Sequence, residues 1–495
     1  MTTSGKPELR LVAGTIWMVG MRWSMRLAGL ISTLILARLL APEDFGIIAM
    51  AKVAVGLLEA LSTSGVELAL IRTRDRSHDL YNTAWTIRLI QRAIMACLLF
   101  LAAPLAVSYF DEPRTLAVIQ LLAVAMLIKG FVNIGTVDFR KDLDFRAEFR
   151  LGVLEKFISV TIAISLALVL RNYWALTLAI AAEAIVAVIL SYFLHPYRPR
   201  ISFSRWNELW RFSLWILANR LAFFANARLD QISVGGTFST SAMGFYNFGS
   251  ELGTLPGDEV AEPLRRSVYP NLSTISSNTN EFVQTTLKVF SATAFLLLPI
   301  GFGLAAIAPL FVTVVLGEKW GPAAPVLSIA AIYGSIAGLT SVLELPLLIT
   351  GKERLAALVA WIQVSLLLPA VFIATKFENL SYVASARAVI VFIGFLMILW
   401  IVGRVLNFSI FRLVSSAWRS LAASAFMYMC IVQFITPANA NSPVTLMLTI
   451  LFGIAAYPVF VVMFWTLTGR PEGPESEIIR QVSGYIRNWR GQNLH

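Results

Sequence analysis

The chain has 495 residues, of which 57% are hydrophobic and 14% are charged, and its mean hydropathy is +0.73. Soluble domains carry about 25% charged residues, so this composition predicts an integral membrane protein. The net charge of +11 comes from 40 lysines and arginines against 29 acidic residues. In a membrane protein such an excess is mainly topological. Because no long solvated basic run is present, the sequence excludes nucleic acid as a partner.

Cysteine and histidine are too few for a metal centre or for histidine-based catalysis. Cys97 and Cys430 both fall in apolar segments, where we interpret them as packing residues, since a disulfide or metal framework needs more thiols at paired spacings. The three histidines are His78, His195 and His495. The sequence also lacks a nucleophile–base pair and a glycine-rich phosphate loop. We therefore expect no metal, no organic cofactor and no enzymatic activity.

Apolar stretches of about 20 residues, the length that crosses a bilayer, recur along the whole chain. We count fourteen of them, near residues 12–38, 44–70, 81–108, 114–137, 151–170, 173–194, 207–234, 240–263, 283–315, 322–350, 354–375, 379–403, 416–436 and 443–468. The loops between them are short, and none could hold an enzyme domain. The sequence therefore predicts an all-α polytopic membrane protein with about fourteen transmembrane helices.

Basic residues concentrate in every second loop. The richer set of loops contains Arg72, Arg140, Arg198, Arg265 and Arg404, among others, whereas the alternate set holds only Arg38, Arg114, Arg171, Lys319 and Lys376. Loops rich in lysine and arginine stay on the cytoplasmic side of a membrane. We therefore expect both termini to face the cytoplasm, in agreement with an even number of helices.

A weak internal repeat relates two halves of the chain. Residues 40–46, after segment 1, correspond to residues 238–244, after segment 7, and the same offset of 198 residues places Arg22 over Arg220. Six helices separate the copies, so both halves run in the same direction. Parallel repeats of this kind hold the substrate path between them.

The repeat predicts two pseudo-symmetric six-helix lobes followed by two further parts. These are an N-lobe with helices 1–6 (1–200), a C-lobe with helices 7–12 (201–405), a C-terminal helix pair (406–470) and a tail (471–495). The tail carries apolar residues at helical spacing beside arginines. We expect it to form an amphipathic helix on the cytoplasmic membrane surface.

Six arginines lie inside the apolar segments: Arg22, Arg26, Arg88, Arg92, Arg220 and Arg228. A cation in a spanning helix costs about 2.5–3.5 kcal/mol at mid-bilayer and usually faces a wet or protein-lined interior. Guanidinium groups bind phosphate oxygens through paired donors and keep their charge when partly dehydrated. We therefore predict a water-filled cationic cavity that binds a phosphate or pyrophosphate group. The alternative is that each arginine pairs with a nearby acid and serves only packing.

The six positions are not equivalent. Arg22 and Arg220 lie near mid-helix at matching positions of the repeat, which makes them the strongest candidates for binding pyrophosphate. Arg88 lies closer to the cytoplasmic end, where a long side chain can snorkel to the interface. Asp230, close to Arg228, is the candidate for uptake of a proton or sodium ion in a coupled cycle, and its alternative role is a plain salt bridge.

Two stretches of the chain resemble a known family. The run LILARLLAPEDFG at 34–46 is similar to the first hairpin of bacterial polysaccharide flippases of the Wzx type, within the multidrug/oligosaccharidyl-lipid/polysaccharide exporter superfamily. The segment LGEKW at 316–320, followed by APVL at 324–327, is similar to that family's turn before segment 10. The length, the helix count and the six-plus-six-plus-two plan match as well.

The resemblance implies transport of an undecaprenyl-pyrophosphate-linked oligosaccharide from the inner to the outer leaflet of the bacterial inner membrane. The repeat units would feed exopolysaccharide, capsule or O-antigen synthesis. Alternating access is implied, with basic cavity residues holding the pyrophosphate-sugar head group while the protein contacts membrane lipids. A polysaccharide polymerase and a chain-length regulator are candidate protein partners, and a monomer is the simplest expectation.

Two other functions compete with this one. A cation-coupled exporter of small drugs on the same fold would need acidic residues to dominate the cavity, and here arginine dominates. A membrane polysaccharide polymerase or lipid-linked glycosyltransferase typically presents a sizeable outer loop with catalytic groups, and the outer loops predicted here are only a few residues long. The sequence therefore favours the flippase.

Overall fold

The computed structural model describes residues 7–471, except 63–65, 74, 143, 207–213 and 436–441, together with residue 476. Helices make up most of this part of the chain, and no β-strand occurs in it. The predicted all-α class is thereby confirmed. The side chain of Arg22 and most of the tail 471–495 lie outside the described residues, so the amphipathic helix of the tail stays a prediction.

Nine α-helices occupy the described residues before position 238. They are α1 (Pro7–Leu39), α2 (Pro42–Ser62), α3 (Val66–Arg72), α4 (His78–Phe110), α5 (Thr115–Gly130), α6 (Val137–Lys141), α7 (Phe145–Leu170), α8 (Tyr173–Leu194) and α9 (Leu214–Thr237). A short 3-10 turn, Ile134–Thr136, joins α5 to α6.

Eight further helices follow among the described residues. They are α10 (Thr240–Thr274), α11 (Thr279–Phe311), α12 (Ala323–Leu343), α13 (Leu345–Ile349), α14 (Glu353–Thr375), α15 (Leu380–Val405), α16 (Ile410–Cys430) and α17 (Pro443–Leu467). Single π-helical turns, Val312–Leu316 and Ile431–Ile435, extend α11 and α16.

Eight spans of the described chain are long and apolar enough to cross a membrane, and α5 with the bent segment after it, at an angle of 68°, would make a ninth. The longer helices outside this set are α1, α2, α9, α10 and α16, which have 21 to 35 residues and include the helices that carry Arg26 and Arg220. The chain is thus a multi-pass membrane protein, and the total of fourteen spans stays a prediction.

The helices pack into two compact units, Met1–Gly244 and Phe245–His495. In the first unit α2 packs against α4, α5, α8 and α9, so this helix lies at the centre of the unit. In the second unit α11 packs against α12, α16 and α17. The packing groups α9 with the helices before it, whereas the sequence repeat begins a new lobe at residue 201. The division into two six-helix lobes stays a prediction.

Local sequence explains the tight turn between α7 and α8. Asp144 caps α7 by accepting a hydrogen bond of 3.1 Å from the Ala147 backbone N–H, and Asn172 caps α8 by accepting one of 3.0 Å from the Trp174 N–H. Between the two helices Arg171 adopts a left-handed conformation with φ of 50°, which ends α7. A connection this short makes α7 and α8 antiparallel neighbours.

The helices α2 and α9 run antiparallel and touch through glycines. A Cβ atom on Gly56 would lie 3.1 Å from the Phe224 ring, and a Cβ atom on Gly235 would lie 3.6 Å from the Met50 side chain. The contacting residue moves backwards along α9 as the position moves forwards along α2, so the two helices point in opposite directions. Small residues allow backbones to approach this closely in membrane bundles.

A closer approach joins the first turns of α2 and α10 within the first unit. A Cβ atom on Gly46 would overlap the carbonyl oxygen of Thr240, and a Cβ atom on Gly244 would overlap that of Pro42. The two contacts are related by the same offset of 198 residues that the sequence repeat shows. Glycine is needed at both positions because the two backbones lie in direct contact.

Arg114, in the turn between α4 and α5, holds the same end of the unit together. Its Nε and Nη2 atoms each lie 2.8 Å from a carboxylate oxygen of Glu112, and Nη2 also contacts Glu43 in the first turn of α2. Thr240 donates a hydrogen bond of 2.8 Å to Glu112. The hydrogen bonds from Arg114 and Thr240 favour the charged carboxylate, so the pKa of Glu112 falls to about 2.

At the other end of α4, Asn133 orders the linker that follows α8. Its buried side-chain amide donates hydrogen bonds of 2.8 Å and 3.2 Å to the carbonyls of Tyr197 and His195, and its side-chain oxygen accepts one of 2.9 Å from the Gly135 N–H. Since a buried amide group is stable only when its hydrogen bonds are made, this linker is a packed part of the unit.

Replacement of Gly46 by alanine is expected to destabilise the first unit, because only a backbone shift could relieve the overlap with the Thr240 carbonyl oxygen. We expect a loss of about 1–3 kcal/mol, measured as a lower midpoint of thermal unfolding of the purified protein in detergent. Gly20→Ala is the matched control, since no atom lies within 4 Å of the added Cβ. Equal midpoints for the two variants would contradict this contact.

Replacement of Glu112 by glutamine tests the cluster around Arg114 through its pH dependence. The pKa of the folded carboxyl is about 2, below its ordinary value of 4.5, so the charge stabilises the fold above pH 4.5 and this contribution is lost as the pH falls towards 2. We expect a lower unfolding midpoint for Glu112→Gln at neutral pH. The difference from the unsubstituted protein should shrink as the pH falls through this window, and a constant difference would exclude the charged hydrogen bonds as its cause.

Candidate functional site

The interior side of α1 carries two of the predicted arginines. Four apolar side chains form an exposed stripe along this helix: Trp23, Leu27, Ile31 and Ile35. At about 100° per residue, Arg26 lies about 120° and Arg22 about 160° around the helix from the middle of this stripe. The apolar stripe is the surface suited to lipid, so both positions belong to the side turned into the protein. On the protein side, α1 packs against α7.

Arg220 lies on α9 at the level of an acidic residue of α2. Phe224, one turn further along α9, packs on Gly56 of α2. Because the two helices are antiparallel, one turn beyond this contact brings Arg220 level with Glu59. Arg220 is half-buried. Among the described residues no carboxylate lies within salt-bridge distance of it.

Arg92 meets the same acidic residue from α4. Its Nη1 atom lies 3.3 Å from Oε1 of Glu59, with 29% of the arginine and 51% of the glutamate side chain exposed. The Arg92 side chain also passes over Gly130 of α5, whose added Cβ would lie 3.1 Å away. The structure therefore pairs Arg92 with Glu59 and places Arg220 at about the same level of the first unit, on the neighbouring helix α9.

Arg88 is held by packing contacts and an ion pair. Only 12% of its side chain is exposed, Nη1 lies 3.5 Å from Oε1 of Glu67 on α3, and Nη2 donates a hydrogen bond to the carbonyl oxygen of Val132. The second carboxylate oxygen of Glu67 lies 4.0 Å from Arg140. These contacts favour the structural role weighed for Arg88, which joins α3, α4 and the chain after α5.

Arg228 and Asp230 differ in exposure although they are two residues apart. Arg228 is exposed, and its Nη1 atom donates a hydrogen bond of 2.7 Å to the side-chain oxygen of Gln231. Asp230 is 3% exposed, and its Oδ1 atom accepts a hydrogen bond of 3.0 Å from the Gln231 N–H. The carboxylate of Asp230 is therefore enclosed by the packing of the unit, whereas the guanidinium of Arg228 is accessible.

Three lysines that were not among the predicted site residues lie in the same unit. Lys129 of α5 forms an ion pair of 3.2 Å with Glu183 of α8, Lys156 of α7 lies against α1, and Lys52 is exposed on α2. All of these charges interrupt apolar stretches of the sequence. A search for every charge within those stretches, and not for arginine alone, finds them.

The family to which the chain belongs follows from its sequence. The sequence profile of a family described as "Polysaccharide biosynthesis protein" matches residues 35–325, which is more than half of the chain. The chain belongs to this polysaccharide biosynthesis family. The matched range includes Arg88, Arg92, Arg220 and Arg228 and begins after Arg26. The resemblance to polysaccharide flippases is thereby confirmed at the level of the family.

Two proteins similar to this chain come from bacteria. The chain is 22% identical over 314 residues to the lipopolysaccharide biosynthesis protein WzxC of Escherichia coli (strain K12), covering 62% of this chain and 63% of the relative. It is 24% identical over 304 residues to the succinoglycan biosynthesis transport protein ExoT of Rhizobium meliloti (strain 1021), covering 61% and 62%. The chain thus spans under two thirds of the length of either relative.

The fold of this member of the polysaccharide biosynthesis family matches that of a solved membrane transporter. A structure titled lipid II flippase MurJ, in an inward closed conformation, superposes with a TM-score of 0.72 at 14% identity, covering 91% of this chain and 99% of that one. Identity this low establishes a shared fold and no more. The polytopic helical architecture expected from the sequence is therefore confirmed.

Replacement of Arg88 by glutamine is expected to destabilise the protein, because the Val132 carbonyl loses its hydrogen bond from the guanidinium and the Glu67 carboxylate loses the nearer of its two arginine partners. A loss of about 1–3 kcal/mol is expected, seen as a lower unfolding midpoint in detergent. Arg228→Gln is the matched control for stability, since an exposed arginine should change the free energy of unfolding by about 0.5 kcal/mol or less. The same small effect for both variants would contradict a structural role for Arg88.

Proposed function

We propose that the chain is a flippase for an undecaprenyl-pyrophosphate-linked oligosaccharide, which it moves across the bacterial inner membrane by alternating access. The observation that carries this proposal is the set of arginines inside the first unit, with Arg92 paired to Glu59, Arg220 at about the same level on α9, and Arg26 on the interior side of α1. The membership of a polysaccharide biosynthesis family supports it. It is also supported by the similarity to a succinoglycan biosynthesis transport protein and to a lipid II flippase.

The physical task of such a protein is to carry a charged head group through a hydrocarbon layer. A pyrophosphate loses its hydration shell there, at a cost that makes unassisted crossing negligible. Guanidinium groups replace water as hydrogen-bond donors and supply opposite charge. In our proposal Arg22, Arg26, Arg92, Arg220 and Arg228 bind the head group, while Arg88 holds the surrounding helices. The polyprenyl chain stays in the bilayer.

The proposed cycle uses the organisation expected from the repeat. Lobes of six helices, 1–200 and 201–405, would move against each other around the head group, with 406–470 as an added pair and both termini in the cytoplasm. The monomer would be the transporting unit. A polysaccharide polymerase would receive the repeat units on the outer side, together with a chain-length regulator, in exopolysaccharide, capsule or O-antigen synthesis.

Asp230 is our candidate for coupling transport to a proton or sodium gradient. Its burial inside the first unit, on the same helix as the accessible Arg228, supports this role, because acidic groups buried in membrane-spanning helices commonly belong to ion pathways. The alternative is a permanent structural contact of the carboxylate. If transport depends on neither the proton nor the sodium gradient, Asp230 has no coupling role, and the flippase proposal is unaffected.

A cation-coupled exporter of small molecules is the second candidate function. One observation favours it: Glu251 and Asp258 are exposed and lie seven residues apart on α10, so they project from one side of that helix. Such a protein would confer resistance to cationic drugs, and its activity would depend on these two acids. A flippase would instead depend on the arginines.

Replacement of Arg220 or Arg22 by alanine is expected to reduce the translocation of lipid-linked oligosaccharide by about 10-fold or more, the loss expected for one charged hydrogen-bond partner. Export is measured as cell-surface polysaccharide and as accessible head group in membrane vesicles, with protein levels checked by immunoblot. Arg220→Lys, which keeps the charge and loses the paired donors, should be intermediate.

The control is Arg72→Ala, which removes an exposed arginine at the end of α3 and should leave export unchanged. Normal export by both Arg220→Ala and Arg22→Ala, at normal protein levels, would refute the proposed arginine site. A variant that loses drug resistance but keeps normal polysaccharide export would favour the exporter of small molecules.

A further inference from the structure

A lysine in the middle of α7 lies directly against α1. Lys156 is the twelfth of the 26 residues of α7, so its position falls near the midpoint of that helix. A Cβ atom added to Gly29 of α1 would lie 3.4 Å from the Cε atom and 3.5 Å from the Nζ atom of Lys156. The ammonium group thus lies against a position of α1 that carries no side chain.

The lysine lies on the side of α7 away from lipid. The exposed apolar residues of α7 form one stripe, which contains Leu154, Phe157, Ile158, Leu168 and Val169. At about 100° per residue, Lys156 lies about 160° around the helix from the middle of this stripe. A charge at mid-helix on this side faces the protein or water within it.

Gly29 lies on the corresponding side of α1. It is about 180° from the exposed stripe that begins at Trp23, on the same side as Arg22 and Arg26. Since Arg26 and Gly29 are three residues apart, they are neighbours on the helix surface, with Cβ positions about 5–6 Å apart. The ammonium of Lys156 therefore joins the row of cations on the interior side of α1.

Within the described residues, no carboxylate forms a salt bridge with Lys156. The adjacent Glu155 influences it only through space, and Glu183 is already paired with Lys129 at 3.2 Å. Lys156 adds a positive charge to the interior side of α1 that carries Arg26, and positive charge in a region of low dielectric attracts anions. The arrangement is therefore suited to a bound anion that enters and leaves.

We propose that Lys156 is a further residue that binds the anionic oxygens of the transported head group, and that Gly29 provides the space for its ammonium. This inference rests on the flippase proposed above. The anionic oxygens could belong to the pyrophosphate or to a carboxylate on the sugar. An ammonium is a compact point charge with rotatable donors, so it accepts either, whereas a guanidinium favours planar paired contacts.

The test is binding of two probes to the full-length protein in nanodiscs. Farnesyl pyrophosphate stands for the lipid-linked pyrophosphate, and glucuronate stands for an acidic sugar. Lys156→Gln should weaken binding of at least one probe by about 10-fold or more. Loss confined to farnesyl pyrophosphate assigns Lys156 to the pyrophosphate, and loss confined to glucuronate assigns it to the sugar. Unchanged binding of both probes by the folded variant overturns the inference.

Lys129→Gln is the matched control, because it removes a half-exposed lysine of the same unit that already has a carboxylate partner. We expect lower thermal stability and unchanged binding of both probes. Equal losses of binding in Lys129→Gln and Lys156→Gln would show a general effect of charge and overturn a specific contact at Lys156.

A chemical rescue keeps the test valid if Lys156→Gln fails to fold. In a background with Cys97→Ala and Cys430→Ala, Lys156→Cys is treated with 2-aminoethyl methanethiosulfonate, which restores an ammonium, or with the uncharged ethyl reagent. Binding and export should return with the first reagent only. Rescue by both reagents indicates a packing role, and a thiol that reacts with neither contradicts an accessible site. Either result overturns the inference.

The outcome separates this inference from the proposed function. If Arg220→Ala loses export and Lys156→Gln does not, only the role of Lys156 is refuted. If Arg22→Ala and Arg220→Ala both keep normal export, the flippase site itself is refuted.

Discussion

The structure depends on the cost of placing a cation in the hydrocarbon layer. A charge at mid-bilayer costs several kcal/mol unless protein or water surrounds it, so each intramembrane arginine and lysine constrains the rotation of its helix. The exposed stripe of α1 is apolar, and Arg26 lies on the other side; the same is true of α7 and Lys156. These charges thereby set which faces of the helices meet lipid and which meet the protein.

The intramembrane cations divide into those with a carboxylate partner and those without one among the described residues. Arg88 has Glu67 and a backbone carbonyl, and Lys129 has Glu183, so their charges are balanced within the fold. Arg92 shares the level of its partner Glu59 with Arg220. Balanced pairs hold helices together, whereas a surplus of positive charge attracts an anion from outside the protein. The proposed transport depends on this surplus and not on the number of arginines.

Close packing of the backbone allows these side chains to meet. Gly56 admits the Phe224 ring between α2 and α9, Gly130 admits Arg92, and Gly29 admits Lys156. In each case the absent side chain on one helix is replaced by a long side chain from another. Small residues therefore position the charged groups as well as bringing helices together. At Gly46 and Gly244 the absent side chain instead lets the backbone of the other helix approach directly.

The sequence by itself determined the all-α membrane class, the family and the helices that carry Arg26, Arg92 and Arg220, because hydropathy and periodicity are properties of local sequence. It also showed the offset of 198 residues that relates Gly46 to Gly244. Only the tertiary structure determined which charged side chains pair with each other. Arg88 and Glu67, or Arg92 and Glu59, are separated by more than twenty residues, and Lys156 reaches Gly29 from a distant helix. Periodicity indicates the side of a helix on which a residue lies. Its partner on another helix depends on how the helices pack.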